Sequence, residues 1–147
     1  MTKQQQDLPD ATIQAWVQLM RASTALVDNI ESELKSRSLP PLAWYDALLE
    51  IKRAGTDGLR PFHLQEQMLL AQYNLSRLLD RLEKENYIER RRCGDDARGQ
   101  VLFITKEGRG ILRKMWPVYQ KALDVNFHKK LSDREISSLS GILAKLR

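Results

Sequence analysis

The sequence predicts a mainly α-helical fold carrying one small β-hairpin. Three observations predict it. Apolar residues recur at helical spacing along most of the chain. Two short strand-like runs flank a polar, glycine-bounded hexapeptide, Gly94-Asp-Asp-Ala-Arg-Gly99. A compact helix with a leucine stripe directly precedes that hairpin. The order helix, short helix, tight turn, helix, hairpin is the layout of a winged helix-turn-helix module, here expected over about residues 40–105. Longer helices at about 10–37 and 106–147 flank it within a single domain spanning 1–147.

From Asp10 to Arg37, Ile13, Val17, Met20, Val27, Ile30 and Leu34 return every three or four residues. This run exceeds the ~8–20 residues of an ordinary globular helix, so a partner surface is expected for it. Pro40-Pro41 ends it. Leu42, Ala43, Ala47, Leu48 and Ile51 mark a second helix, closed by Ala54-Gly-Thr-Asp-Gly58. Pro61 suits the first turn of a third, where its missing N–H is not needed. Between Asn74 and Asn86, Leu75, Leu78, Leu79 and Leu82 form one stripe at i, i+3, i+4 and i+7.

Ile88–Cys93 and Val101–Thr105 read as the two strands, the second rich in β-favouring Val, Phe, Ile and Thr. Alternation along the first puts Arg91 and Cys93 on one face and Arg90 and Arg92 on the other. A long helix follows from Lys106, with Pro117 expected to kink or break it. Ser132-Asp-Arg-Glu135 is a capping-box pattern opening the last helix. Both terminal segments carry more apolar surface than a small module covers, which suggests a dimerisation layer.

Several function classes are excluded by composition. The 147 residues, 42% hydrophobic and 29% charged, are those of a globular chain, not a disordered one. No run approaches the ~18 apolar residues of a membrane span, and the N-terminus lacks a signal-peptide core. A single cysteine, Cys93, forms no internal disulfide, so a cytoplasmic location is expected. No catalytic triad, phosphate loop or carboxylate pair is present, and no enzyme activity is expected. His63 and Glu66 supply only two metal ligands at i, i+3, so neither metal nor cofactor is expected.

The net charge of +5 points toward a polyanion, but its distribution is uneven. Residues 1–60 carry −1, residues 61–104 carry 0, and residues 105–147 carry +6. The case for double-stranded DNA therefore rests on arrangement. The leucine stripe leaves Ser76, Arg77, Asp80, Arg81, Glu83 and Lys84 outward, with Arg77, Arg81 and Lys84 along one edge. Tyr73, Asn74 and Ser76 stand at the end that would enter a major groove first. The same charges also sit at intrahelical ion-pair spacings: Arg77 with Asp80, Asp80 with Lys84, Arg81 with Glu85. In the hairpin, Arg92 and Arg98 are placed to reach a minor groove, with Asp95 or Asp96 positioned to brace them.

The run Leu75–Arg91, then Asp96-Ala-Arg98-Gly and Leu102-Phe-Ile-Thr105-Lys-Glu-Gly108, resembles the MarR family of bacterial transcriptional regulators. That family's pattern is a recognition helix ending in Leu-Glu-x-x-Gly, a wing with Asp-x-Arg, and a Leu-Thr-x-x-Gly close. Asn86 stands where the family has glycine, and Ile104 where it has leucine. Asn tolerates the left-handed backbone expected there. The resemblance implies a homodimer on a pseudo-palindromic operator, read by Asn74, Ser76, Arg77 and Arg81, with Asp96 and Arg98 in the wing motif. It also implies repression relieved by a small aromatic or phenolic ligand. Candidate contacts for that ligand are Trp16, Met20, Arg21, Trp44, Tyr45 and His63, each also suited to core or interface packing. Cys93, beside Arg91 and Arg92, is either a redox-responsive thiol or an inert strand residue. The reading of a different class is a winged helix that binds protein and not DNA.

Overall fold

A computed structural model describes residues 7–70, 74–92 and 99–147. Six helices and one hairpin follow in the order α1 (Asp10–Ser36), α2 (Leu42–Ala54), α3 (Pro61–Gln67), α4 (Leu75–Lys84), β1 (Ile88–Arg92), β2 (Gln100–Ile104), α5 (Lys106–Asn126) and α6 (Asp133–Ala144). A 3₁₀ turn, Gly55–Asp57, joins α2 to the segment before α3, and a second, His128–Lys130, precedes α6.

The core is built on α2, which buries Leu42, Ala43, Tyr45, Ala47, Leu48 and Ile51. Against it pack Leu64 of α3, Leu78, Leu79 and Leu82 of α4, Ile88 and Leu102 of the hairpin, and Leu112 and Met115 of α5. The leucine stripe of α4 faces inward as its spacing predicts. β1 and β2 pair antiparallel with Ile88 opposite Ile104 and Arg92 opposite Gln100. Leu59 adds a one-residue third strand, exchanging backbone hydrogen bonds with Leu102 at 2.9 and 2.8 Å. Gly58 makes this approach possible, because it has φ +71° and a Cβ there would strike Val101 and Phe103.

The long helices behave differently along their lengths. α1 buries only Ile30 and Leu34 near its C-terminal end, against α5 and α2. Ile13, Trp16 and Met20 stay exposed, as does Leu8 just before the helix. α6 buries no residue fully, and Ile142 and Leu146 are exposed. The capping box forms in both halves: Glu135 N–H donates to Ser132 Oγ at 3.2 Å and Ser132 N–H to Glu135 Oε1 at 2.9 Å.

Of the kink or break expected at Pro117, the break does not occur: α5 runs continuously through it. The missing N–H of Pro117 would have met the carbonyl of Arg113, and both residues are exposed, which leaves that carbonyl open to solvent. Leu112, Met115 and Ala122 hold the helix to the core on either side.

Candidate nucleic-acid interface

The outward side of α4 is polar because its inward side is taken by leucine. Asn74 stands one residue before the helix, and its Oδ1 accepts the Arg77 N–H at 3.1 Å, which satisfies one free donor of the first turn. Ser76, Arg77, Arg81 and Lys84 are exposed along the helix. None of the three intrahelical ion pairs that the spacing allows is formed. Arg77 and Arg81 instead border a small groove of about 240 Å³ with Pro41, Trp44 and Asn74.

Asp80 is engaged elsewhere. Arg90 of β1 folds back onto α4 and its Nη2 donates to Asp80 Oδ1 at 2.6 Å. Its Nε lies 3.6 Å from Glu83 Oε2, an ion-pair distance beyond hydrogen-bonding reach, so this buried N–H has no acceptor. Arg91 takes the opposite face of the strand, stacking its guanidinium 4.3 Å from the Phe103 ring centre and pairing with Glu89 at 3.0 Å. Arg92 is exposed at the strand end. The alternation expected of β1 holds for Arg90 and Arg91, which take opposite faces. Tyr73, Cys93, Asp96 and Arg98 lie outside the described residues, and with them the bracing of the loop arginines by Asp95 or Asp96.

A compact joint ties α4 to the hairpin and α5. Asn86 adopts φ +61°, the left-handed turn that its position predicts. Thr105 Oγ1 donates to the Asn86 carbonyl at 2.6 Å and accepts the Gly108 N–H at 2.9 Å, capping α5. Thr105 N–H donates to the Tyr87 carbonyl at 3.1 Å. At Gly108 a Cβ would run into that same carbonyl, so only glycine fits. The Thr-x-x-Gly spacing thus has a local cause: one residue caps the helix and locks the turn, the other clears it.

The six residues considered for a small ligand are not brought together. Trp16, Met20 and Arg21 lie on the exposed first half of α1, apart from the cavities that Trp44 and Tyr45 line. His63 is exposed on α3 with its ring beside Phe62. Trp44 and Tyr45 are adjacent in sequence and so face different ways. Trp44 packs edge-on to Tyr87 in an open cleft of about 740 Å³ that Arg37 and Lys114 flank. Tyr45 stacks on Trp116 and meets Tyr119 edge-on. Tyr45 and Tyr119 share a cavity of about 400 Å³ with Asp46, Arg53, Leu69 and Leu70.

Sequence reasoning missed Asp46, which is 5% exposed and accepts the Leu70 N–H at 3.0 Å, fixing the segment between α3 and α4 to α2. The available signal was a carboxylate inside an otherwise apolar helical stretch. Burial, reinforced by the Asp46 and Tyr45 charges, raises the Tyr119 phenol above its ordinary 10.0. Burial also raises Tyr45, with Arg53 opposing.

A hairpin beside a helix whose exposed edge is basic, the helix packed on two others, defines a winged helix-turn-helix protein. Residues 38–99 match the sequence profile of the MarR family. The fold agrees over nearly the whole chain. Sco3205, a MarR family transcriptional regulator from Streptomyces coelicolor solved in complex with DNA, superposes with a TM-score of 0.84 at 25% identity, over 99% of this chain and 91% of that one. A mutant MarR of Escherichia coli complexed with operator DNA gives a TM-score of 0.78 at 23% identity, covering 96% and 99%. Among curated proteins, the transcriptional repressor MprA of Escherichia coli is 28% identical over 127 residues, 86% of this chain and 71% of MprA. In sequence over residues 38–99 and in fold over nearly the whole chain, the protein is similar to the MarR family of transcriptional regulators. Among the described residues no helix is long and apolar enough to cross a membrane.

Proposed function

We propose that this protein is a homodimer that binds a pseudo-palindromic DNA operator, represses transcription there, and is released by a small aromatic ligand. The observation that carries the DNA reading is the edge of α4. Arg77, Arg81 and Lys84 are exposed and unpaired among the described residues, while Asp80, at pairing spacing from Arg77 and Lys84, is held by Arg90. Free guanidinium groups on a helix are the donors that bind guanine edges and phosphates. Sco3205 and the E. coli MarR, both solved on DNA, support it by likeness of fold, and MprA's name supports repression.

A dimer is supported by the apolar residues left uncovered near both chain ends, Leu8, Ile13, Trp16 and Met20 at one and Ile142 and Leu146 at the other. Two copies of α4 would then enter successive major grooves about 34 Å apart. Asn74, Ser76, Arg77 and Arg81 take the base and phosphate contacts, and Tyr73, Arg92, Asp96 and Arg98 serve the flanks and the wing. For the ligand, the cavity shared by Tyr45 and Tyr119 is favoured, because Asp46 in its wall holds Leu70 and so couples it to the segment leading into α4.

Selection of bound sequences from random duplex DNA tests the reading. It should return two inverted half-sites with centres about ten base pairs apart. Sedimentation should give twice the mass of one chain. Enrichment of no sequence, together with capture of a protein partner through the same α4 face, favours the protein-binding alternative. If titration with aromatic acids and phenols changes neither tryptophan emission nor operator affinity, that ligand class is excluded.

A further inference from the structure

We infer that Arg90 is a positioning residue for the DNA-reading helix: by holding Asp80 and Glu83 from the wing strand, it keeps Arg77 and Lys84 available to DNA. The inference rests on the DNA-binding reading and deepens it. Asp80 lies three residues after Arg77 and four before Lys84, so on a bare helix it would pair with either. In the structure it does neither, because Arg90 claims it at 2.6 Å from another element. Glu83 lies on the same side of α4 and is the second carboxylate that Arg90 faces, at 3.6 Å.

The guanidinium is built into the joint and does not lie loosely on the surface. Its side chain is 20% exposed, against 70% for Asp80 and 50% for Glu83. Its buried Nε, lacking an acceptor, lies 3.6 Å from Glu83 Oε2, so closing that gap would draw α4 onto the strand. A planar fork holds two carboxylates in fixed directions, whereas a lysine ammonium is a point charge whose donors rotate freely. Arg90 therefore neutralises the acids of the reading helix from behind and sets its tilt against the hairpin, without having to touch DNA.

The test is a double-mutant cycle between Arg90→Gln and Asp80→Asn, read by anisotropy of a labelled selected operator. Arg90→Gln frees Asp80 to pair with Arg77 or Lys84. Affinity should fall about threefold per helix and about tenfold for the two helices of a dimer. The salt dependence should become shallower, because fewer cations reach phosphate. Adding Asp80→Asn should restore affinity to within about threefold of wild type, whereas Asp80→Asn alone should change it by less than about threefold. Arg90→Lys, which keeps the charge and one donor head, should fall between wild type and Arg90→Gln, and circular dichroism checks that each variant folds. An Asp80→Asn gain of equal size in both backgrounds overturns the inference, as does failure of that substitution to rescue Arg90→Gln, the mark of direct DNA contact by Arg90. Should the wild-type chain bind no duplex at all, the DNA reading fails on its own. The brace is then read from melting temperatures: equal losses for the two single variants and the double variant support it, and additive losses overturn it.

Discussion

Replacing Gly108 with alanine tests the joint that fixes the hairpin to α4 and α5. The new Cβ would strike the Tyr87 carbonyl oxygen and lie 2.8 Å from Ile104 Cγ1 and 3.1 Å from the Tyr87 carbonyl carbon. Most of this obstacle is backbone, so no rotamer change relieves it. The carbonyl cannot retreat without losing the Thr105 N–H that it accepts at 3.1 Å. Overpacking costs about 1–3 kcal/mol and the strained hydrogen bond about 1 more, giving roughly 3 kcal/mol in total. For a chain of this size that lowers Tm by roughly 6–12 °C. Gly110 is the control, since a Cβ there meets only the Arg113 Nη2 at 3.9 Å. Gly110→Ala should gain about 1 kcal/mol of helix propensity and raise Tm by a few degrees. Thermal melts by circular dichroism at one protein concentration read both. A Gly108→Ala protein that melts within about 2 °C of wild type would refute the steric account of the Thr-x-x-Gly spacing.

Thr105→Ala should cost about 1–2 kcal/mol by removing the cap of α5 and the bond to Asn86, and Thr105→Ser should recover most of it in urea melts. Asn86→Gly should be neutral or stabilising by a few tenths of a kcal/mol, whereas Asn86→Val should destabilise by about 1–2, since φ is +61° there. Asp46→Ala should cost about 1–3 kcal/mol, because the Leu70 N–H loses its acceptor in a part-buried site, with hydrogen exchange at Leu70 accelerated. Tyr45, Tyr87 and Tyr119 are all raised above 10.0, chiefly by burial. A folded-state value above the unfolded one stabilises below about pH 10 and is lost as pH climbs further. Ultraviolet titration of the phenolates should therefore show delayed ionisation, and denaturant midpoints should drop from pH 10 upward.

Much of the fold was legible because local rules and burial agree. The α4 stripe, the Pro61 start, the Ser132 capping box and the turn at Asn86 each depend on residues within one or two helical turns. Element ends shifted by a residue or two where a cap, such as Asn74, replaced a helical residue. The absence of a break at Pro117 was not legible, because it depends on Leu112, Met115 and Ala122 holding α5 to the core on either side, which is a tertiary fact. The interface was half legible. Spacing marked Arg77, Arg81 and Lys84 as one edge but offered Asp80 two intrahelical partners, and the one it takes comes from β1. Reach across the Asn86 turn decides that, and no periodicity encodes it. The cavity residues were least legible, since Trp44 and Tyr45 diverge and Tyr119 joins from a helix far along the chain.

The central claim is that the free cations on α4 bind duplex DNA. Its most direct test is operator affinity of wild type and Arg77→Ala as a function of salt. Six α4 cations per dimer on phosphate predict a log–log slope steeper than about −5 when wing contacts are added. Arg77→Ala should cost about 1–3 kcal/mol for each helix and, where Arg77 contacts phosphate, flatten the slope by about 2. An affinity indifferent to both salt and Arg77 would contradict the account.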